Sequence, residues 1–170
     1  MSTFVSVGNA TQSFCRLLDE VALIATVLPQ PVVVQHGHTT FHSEACRAIP
    51  FVEMNEFERL VADAELLILH AGAGSVIHAL RSGKVPVVMA RRCGYGELVD
   101  DHQVEFALAL ENSGRVVVAL EPAQLLDAVQ RALKLQGALK LHSDGGRAGH
   151  EPVMLKLVNE ALSGYARRFS

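Results

Sequence analysis

Hydrophobic residues recur along this chain in two rhythms. Short, nearly unbroken apolar runs stand at 3–8 (TFVSVG), 32–35 (VVVQ), 48–52, 66–70 (LLILH), 86–90 (PVVMA) and 115–119. Between them lie segments in which apolar residues return every three or four positions. Phe14, Leu17, Leu18, Val21, Ile24 and Ala25 do so within 13–28, and Phe57, Leu60 and Val61 within 56–64. Similar segments open after Ser75, after Asp100 and at Pro122. Continuous runs predict strands buried on both faces, and the longer spacing predicts amphipathic helices. Their regular alternation predicts an α/β chain with a mostly parallel sheet covered by helices on both faces.

Punctuation residues set the expected boundaries. Pro29 and Pro31 close the first helix, Asn55 is placed to cap the helix over 56–64, and Gly83 is placed as the C′ residue of the helix that follows Ser75. Asp100 reads as an N-cap with Gln103 three residues on, and that helix is expected to end at Gly114. Pro122 opens a helix to Leu135. A turn-rich stretch including SDGGRAGHEP then predicts a flexible linker over 137–150. A last helix is expected from Pro152 to about Ala166, with Met154, Leu157, Val158, Ala161, Leu162 and Tyr165 on one stripe. The chain thus divides into a domain over 1–136, a linker over 137–150 and a C-terminal helix within 151–170, packing on the domain or on a partner.

The stretch with the most chemistry is ELLILHAGAGSVIHAL, residues 65–80. A strand runs into Gly72, Ala73, Gly74 and Ser75, and a helix opens at once. Glycines at 72 and 74 permit positive φ and close approach of a ligand to the backbone. Ser75 is placed to cap a helix whose first N–H groups point into the turn. Such a turn suits a diphosphate, although it also serves as an ordinary strand-to-helix connection. Ile77 stands where a dinucleotide fingerprint needs its third glycine, and no Gly-Lys-Ser/Thr follows, so nicotinamide and ATP sites are not indicated.

Composition narrows the classes further. The chain has 170 residues, 49% hydrophobic, broken by charge every few positions. No run reaches the ~18 apolar residues of a spanning helix, and no export signal is read at the N-terminus. Cys15, Cys46 and Cys93, an odd number irregularly spaced, predict reduced thiols rather than a disulfide framework. A formal charge of −3 without a Lys/Arg-dense stretch, and without Trp, gives no footprint for nucleic acid. The 8 histidines include His36, His38 and His42, but no cysteine pair or carboxylate cluster joins them into a zinc site.

In order and spacing, FVSVG, VVVQHG, HAGAGS, GKVPVV and YGELVDDHQ resemble the C-terminal, donor-binding half of MurG-like GT-B glycosyltransferases. The likeness covers roughly residues 3–133. It is strongest to free-standing catalytic subunits that pair with a separate membrane subunit: the dolichol-pathway N-acetylglucosaminyltransferase subunit and bacterial exopolysaccharide and capsule counterparts. The run from Arg91 to Gln103 looks like the bacterial branch. The resemblance implies a Rossmann-like domain forming one half of a GT-B fold. It implies a subunit that moves a hexose from a UDP-sugar to a lipid-linked saccharide, with inversion at the anomeric carbon. Its partner would be a membrane-anchored acceptor-binding subunit supplying the acceptor base, which would hold this chain in the cytoplasm, at the inner face of the cytoplasmic membrane. No cofactor is implied, the UDP-sugar being the donor substrate, and no metal.

The expected donor-binding set is Gly8, Gly72, Ala73, Gly74, Ser75, His78, Arg91, Glu97, Asp101 and Gln103, of which the resemblance itself implies Gly72, Gly74, Ser75, Asp101 and Gln103. Gly72, Gly74 and Ser75 would cradle the diphosphate, and Asp101 and Gln103 would face the sugar, Gln103 bonding ring hydroxyls. Either Arg91 or Arg92, following a strand end, would neutralise phosphate. Relatives commonly carry a ribose-binding glutamate where this chain has His78, and Glu97 is the candidate substitute. Two other readings stand beside this one: a non-catalytic nucleotide-sugar-binding or scaffold subunit, and a UDP-sugar epimerase, whose fold usually needs both halves in one chain.

Overall fold

A computed structural model describes residues 2–143, with side chains through 139. Six strands, β1 (Thr3–Ser6), β2 (Val32–Gln35), β3 (Cys46–Ile49), β4 (Leu66–His70), β5 (Val87–Met89) and β6 (Val117–Val118), form one sheet in the order β3-β2-β1-β4-β5-β6. Every pairing is parallel. The helices are α1 (Cys15–Ile24), α2 (Met54–Asp63), α3 (Ala73–Arg81), α4 (His102–Glu111) and α5 (Leu125–Ser143), with short 3₁₀ turns at 25–27, 93–95 and 122–124.

Alternating strand residues feed two cores. Val5, Val7, Val32, Val34, Leu66, Ile68, Val87 and Met89 pack with α1 and α5 on one face. On the other, Phe4, Val33, Leu67 and Leu69 pack with α2 and α3, and Val88 and Val118 with α3 and α4. Strands apolar on both sides are therefore needed in the middle layer, as the unbroken runs predicted. The strand order reverses between β1 and β4, and ligands of open α/β sheets bind outside the carboxyl ends at such a reversal.

Several boundaries differ from expectation. α2 begins at Met54, so Asn55 lies inside its first turn and caps nothing; the cap position is Glu53. α4 begins at His102 with Asp101 at its cap position, and Asp100 instead accepts the His102 N–H at 3.2 Å. Gly83 behaves as expected, at φ 68° with its N–H on the Leu80 carbonyl. The linker expected from Gly137 does not start there, because α5 continues to Ser143. Glycine inside a helix costs about 1 kcal/mol, which the flanking Leu, Lys, Gln and Ala residues absorb. Gln136 fixes this turn by accepting the Val85 N–H at 2.8 Å and donating to the Gly83 carbonyl at 3.1 Å. The remainder of that linker and the helix over 152–166 lie outside the described residues. Among the described residues no helix is long and apolar enough to cross a membrane.

Candidate donor-binding site

The carboxyl edge of the sheet carries two cavities on either side of the glycine turn. The first, about 200 Å³, lies over the ends of β1 and β2 and against α2 and α3. Ser6, Gly8, Asn9 and Gln35 form its floor, Val52, Met54 and Phe57 one wall, and Gly74, Ser75 and His78 the other. Among the described residues no carboxylate lines it. Its floor is set by buried polar contacts: the Ser6 hydroxyl donates to Gln35 Oε1 at 2.6 Å, and the Gln35 amide donates to the Gly8 and Pro50 carbonyls, each at 3.1 Å. The second cavity, about 380 Å³, lies past the end of β5, lined by Arg92, Gly94, Tyr95, Asp101 and Val104.

Between them α3 opens with Gly72 at its cap position and no side-chain cap. Ser75 is thus not the cap but sits within the first turn beside Ala73 and Gly74, whose N–H groups face the turn as the positive end of the helix dipole. Neither glycine uses positive φ: Gly72 lies at φ −76° and Gly74 is helical. Their absent side chains matter for space instead. A Cβ on Gly72 would stand 2.1 Å from His70 Nε2, whereas one on Gly74 would meet nothing within 4 Å and would project into open space at the first cavity.

His70, at the end of β4, is the residue that sequence reasoning missed. Its ring fills the crevice between Gly8 and Gly72, so close that a Cβ on Gly8 would stand 2.6 Å away. Gly8 is itself at φ 73°. Burial lowers the His70 pKa to about 4, against a smaller opposing effect of its contact with the Ser6 carbonyl at 3.3 Å; the Arg91 charge also lowers it. The imidazole is neutral at physiological pH. The signal was in the sequence, as a histidine ending an apolar strand directly before a glycine turn.

The loop from β5 to α4 holds the other expected site residues, and it uses several of them differently. Arg91 is not available to a phosphate. Its guanidinium is fully buried, donating to the carbonyls of Gln12 (2.8 Å), Glu97 (3.2 Å) and Val7 (3.0 Å) and lying 4.7 Å over the Phe14 ring. Burial lowers its pKa, opposed by the nearby Glu97. Glu97 is likewise not a ribose ligand. It is 4% exposed, its carboxylate gripped by both arms of Arg16 at 3.1 and 2.9 Å and by the Arg92 N–H at 3.0 Å. A glycine-flanked glutamate reads as solvated until its partner, distant in sequence, is known. Gln103 is buried, and its carboxamide oxygen accepts the Arg91 N–H at 3.2 Å, leaving its NH₂ to offer a ligand. Asp101 accepts the Cys93 N–H at 2.8 Å and faces the second cavity. Arg92, paired with Glu121 at 2.8 Å, lines that cavity too. His78 lies on the first cavity, 3.7 Å from Glu58 and edge-on to Phe57.

Comparison with known proteins identifies the family and the fold. The glycosyltransferase family 28 C-terminal domain matches residues 3–145. The chain is 36% identical over 86 residues to the UDP-N-acetylglucosamine transferase subunit ALG13 of Yarrowia lipolytica, covering 50% of this chain and 42% of that protein. It is 40% identical over 81 residues to the protein of that name from Cryptococcus neoformans, covering 48% and 39%. The chain therefore spans about two fifths of the length of these curated relatives. Among solved structures, the glycotransferase of kitacinnamycin superposes with a TM-score of 0.62 at 18% identity, over 81% of this chain and 37% of that one. MurG of Acinetobacter baumannii superposes at 0.54 and 18%, over 95% and 49%. Both show the fold alone, a Rossmann-like α/β domain.

Proposed function

The chain belongs to the glycosyltransferase family 28 C-terminal domain family, and from that premise we propose that it is the UDP-sugar-binding subunit of a two-component hexosyltransferase. One observation carries the reading. The uncapped start of α3 lies at the reversal of the sheet, between a cavity on the β1/β2 side and another beyond β5. A nucleoside, a diphosphate and a sugar laid along that edge meet, in order, the Val52/Phe57/His78 cavity, the N–H groups of Ala73, Gly74 and Ser75, and the Tyr95/Asp101 cavity. His78 meets the ribose in place of a carboxylate. The names of the curated relatives favour N-acetylglucosamine as the sugar.

In this reading an acceptor hydroxyl attacks the anomeric carbon and its proton passes to a base on the partner. The bond from that carbon to the β-phosphate oxygen breaks, and the electron pair leaves with UDP. The α3 N-terminus stabilises the charge that builds on the departing diphosphate, more in the transition state than in the ground state. The helix dipole and backbone amides do this without a metal or other cofactor. The titratable groups of the two cavities, His78 and Asp101, are occupied by the ribose and the sugar in this reading, which favours a second, acceptor-binding subunit at the membrane as the source of the base. The Arg91–Gln103 run supports a lipid-linked acceptor in exopolysaccharide or capsule synthesis, at the cytoplasmic face.

The test is reconstitution. The purified chain binds UDP and UDP-sugars in a thermal-shift screen but transfers no sugar to a lipid-linked acceptor, and transfer appears when the membrane partner is co-expressed. Robust transfer by the chain alone would overturn the two-component reading, and absence of any nucleotide binding would overturn the donor site.

A further inference from the structure

Resting on the donor-binding reading, we infer that Arg16 and Glu97 are positioning residues that hold the sugar-facing loop in its binding geometry before donor or partner arrives. Arg16 stands on α1, 81 positions from Glu97, and the pair is buried, with side-chain exposures of 11% and 6%. The contact is a two-pronged fork, the geometry in which guanidinium and carboxylate fix each other's orientation as well as their distance. Arg16 also donates to the carbonyls of Ala90 at 2.7 Å and Leu120 at 3.0 Å, so one side chain ties α1 to the ends of β5 and β6. Its guanidinium lies 4.9 Å from the Tyr95 ring centre and so backs a wall of the second cavity.

From Glu97 the constraint passes to the groups that face the sugar. The carboxylate accepts the Arg92 N–H, and the Glu97 carbonyl accepts from Arg91. The Arg91 N–H then holds Gln103, and the Cys93 N–H holds Asp101. These contacts tie the loop's backbone and its sugar-facing side chains to α1 through one buried pair. The geometry also separates two kinds of affinity: Glu97 touches neither the first cavity nor the glycine turn, so it acts on the sugar and not on the nucleotide.

The experiment is calorimetric titration of the full chain with UDP and with UDP-N-acetylglucosamine, for the unmodified protein, Glu97→Gln and Arg16→Lys. The unmodified chain gains affinity from the sugar without a partner present. Glu97→Gln keeps UDP affinity within about twofold but loses about tenfold for the UDP-sugar, equal to ~1.4 kcal/mol. Arg16→Lys, which keeps the charge and loses the fork, falls between them and serves alone if Glu97→Gln does not fold. An unchanged ratio of the two affinities, or equal loss of both, overturns the positioning role while leaving the donor site standing. Failure of the unmodified chain to bind UDP overturns the donor site itself.

Discussion

Replacing Gly74 by valine separates the fold from the ligand. Gly74 is helical and without positive φ, and a Cβ built there meets no atom within 4 Å. Valine is a better helix former than glycine by a few tenths of a kcal/mol, so the free protein should be as stable as before or slightly more so. The branched side chain projects over the first-turn amides and blocks the diphosphate. Losing one or two hydrogen bonds to a charged group, at about 1.5 to 3 kcal/mol each, weakens UDP about tenfold to several hundredfold or more. With UDP at 100 times its Kd, the unmodified chain gains ~2.7 kcal/mol, roughly 5 to 10 °C in Tm for a domain of this size. A hundredfold weaker variant at the same concentration gains only ~0.4 kcal/mol. Melting curves with and without UDP read both effects. An undiminished UDP shift would refute the reasoning by showing that the turn is only a connection, and a collapse of the unliganded Tm would show that Gly74 is needed for the fold.

Other perturbations probe the same edge. Gly72→Ala places a methyl 2.1 Å from His70 Nε2, so the ring must move, and stability should fall by about 1 to 3 kcal/mol in denaturant titration; an unchanged midpoint would mean the crevice is loose. Acid should destabilise the chain through His70: the folded state keeps the imidazole neutral down to about 4, whereas the unfolded state takes the proton near the ordinary 6.5. The unfolded state therefore binds more protons between those values, and stability falls as pH drops through that window, by roughly 3 kcal/mol at most. Denaturant titrations of the chain and of His70→Gln at several pH values isolate this contribution, and parallel profiles would contradict it. Excess EDTA should leave UDP affinity unchanged in calorimetry, because amides and the helix dipole hold the diphosphate; a loss of about tenfold would require a metal.

What could be read from sequence alone followed the physics of each residue. β2 and β4 match expectation to the residue because central strands buried on both faces must be continuous apolar runs. β3 falls at 46–49 rather than 48–52 because this edge strand is half-exposed and its CRAI sequence carries no such run. The glycine turn was legible as a strand-to-helix connection opening α3, although its glycines serve clearance rather than positive φ. The loop after β5 was not legible. Arg91 and Glu97 read in sequence as charges facing the donor, and only the fold brings Arg16 and Phe14 against them. A lone arginine among the apolar residues of 13–28 was the available clue to a buried partner.

Amide chemical-shift mapping of the ¹⁵N-labelled chain measures directly where the donor lies. UDP is predicted to move the resonances of Val52, Phe57, Ala73, Gly74, Ser75 and His78. UDP-N-acetylglucosamine is predicted to add Gly94, Tyr95, Asp101 and Gln103. Shifts confined to other surfaces, or no saturable shifts with either ligand, would contradict the donor site proposed for the carboxyl edge of the sheet.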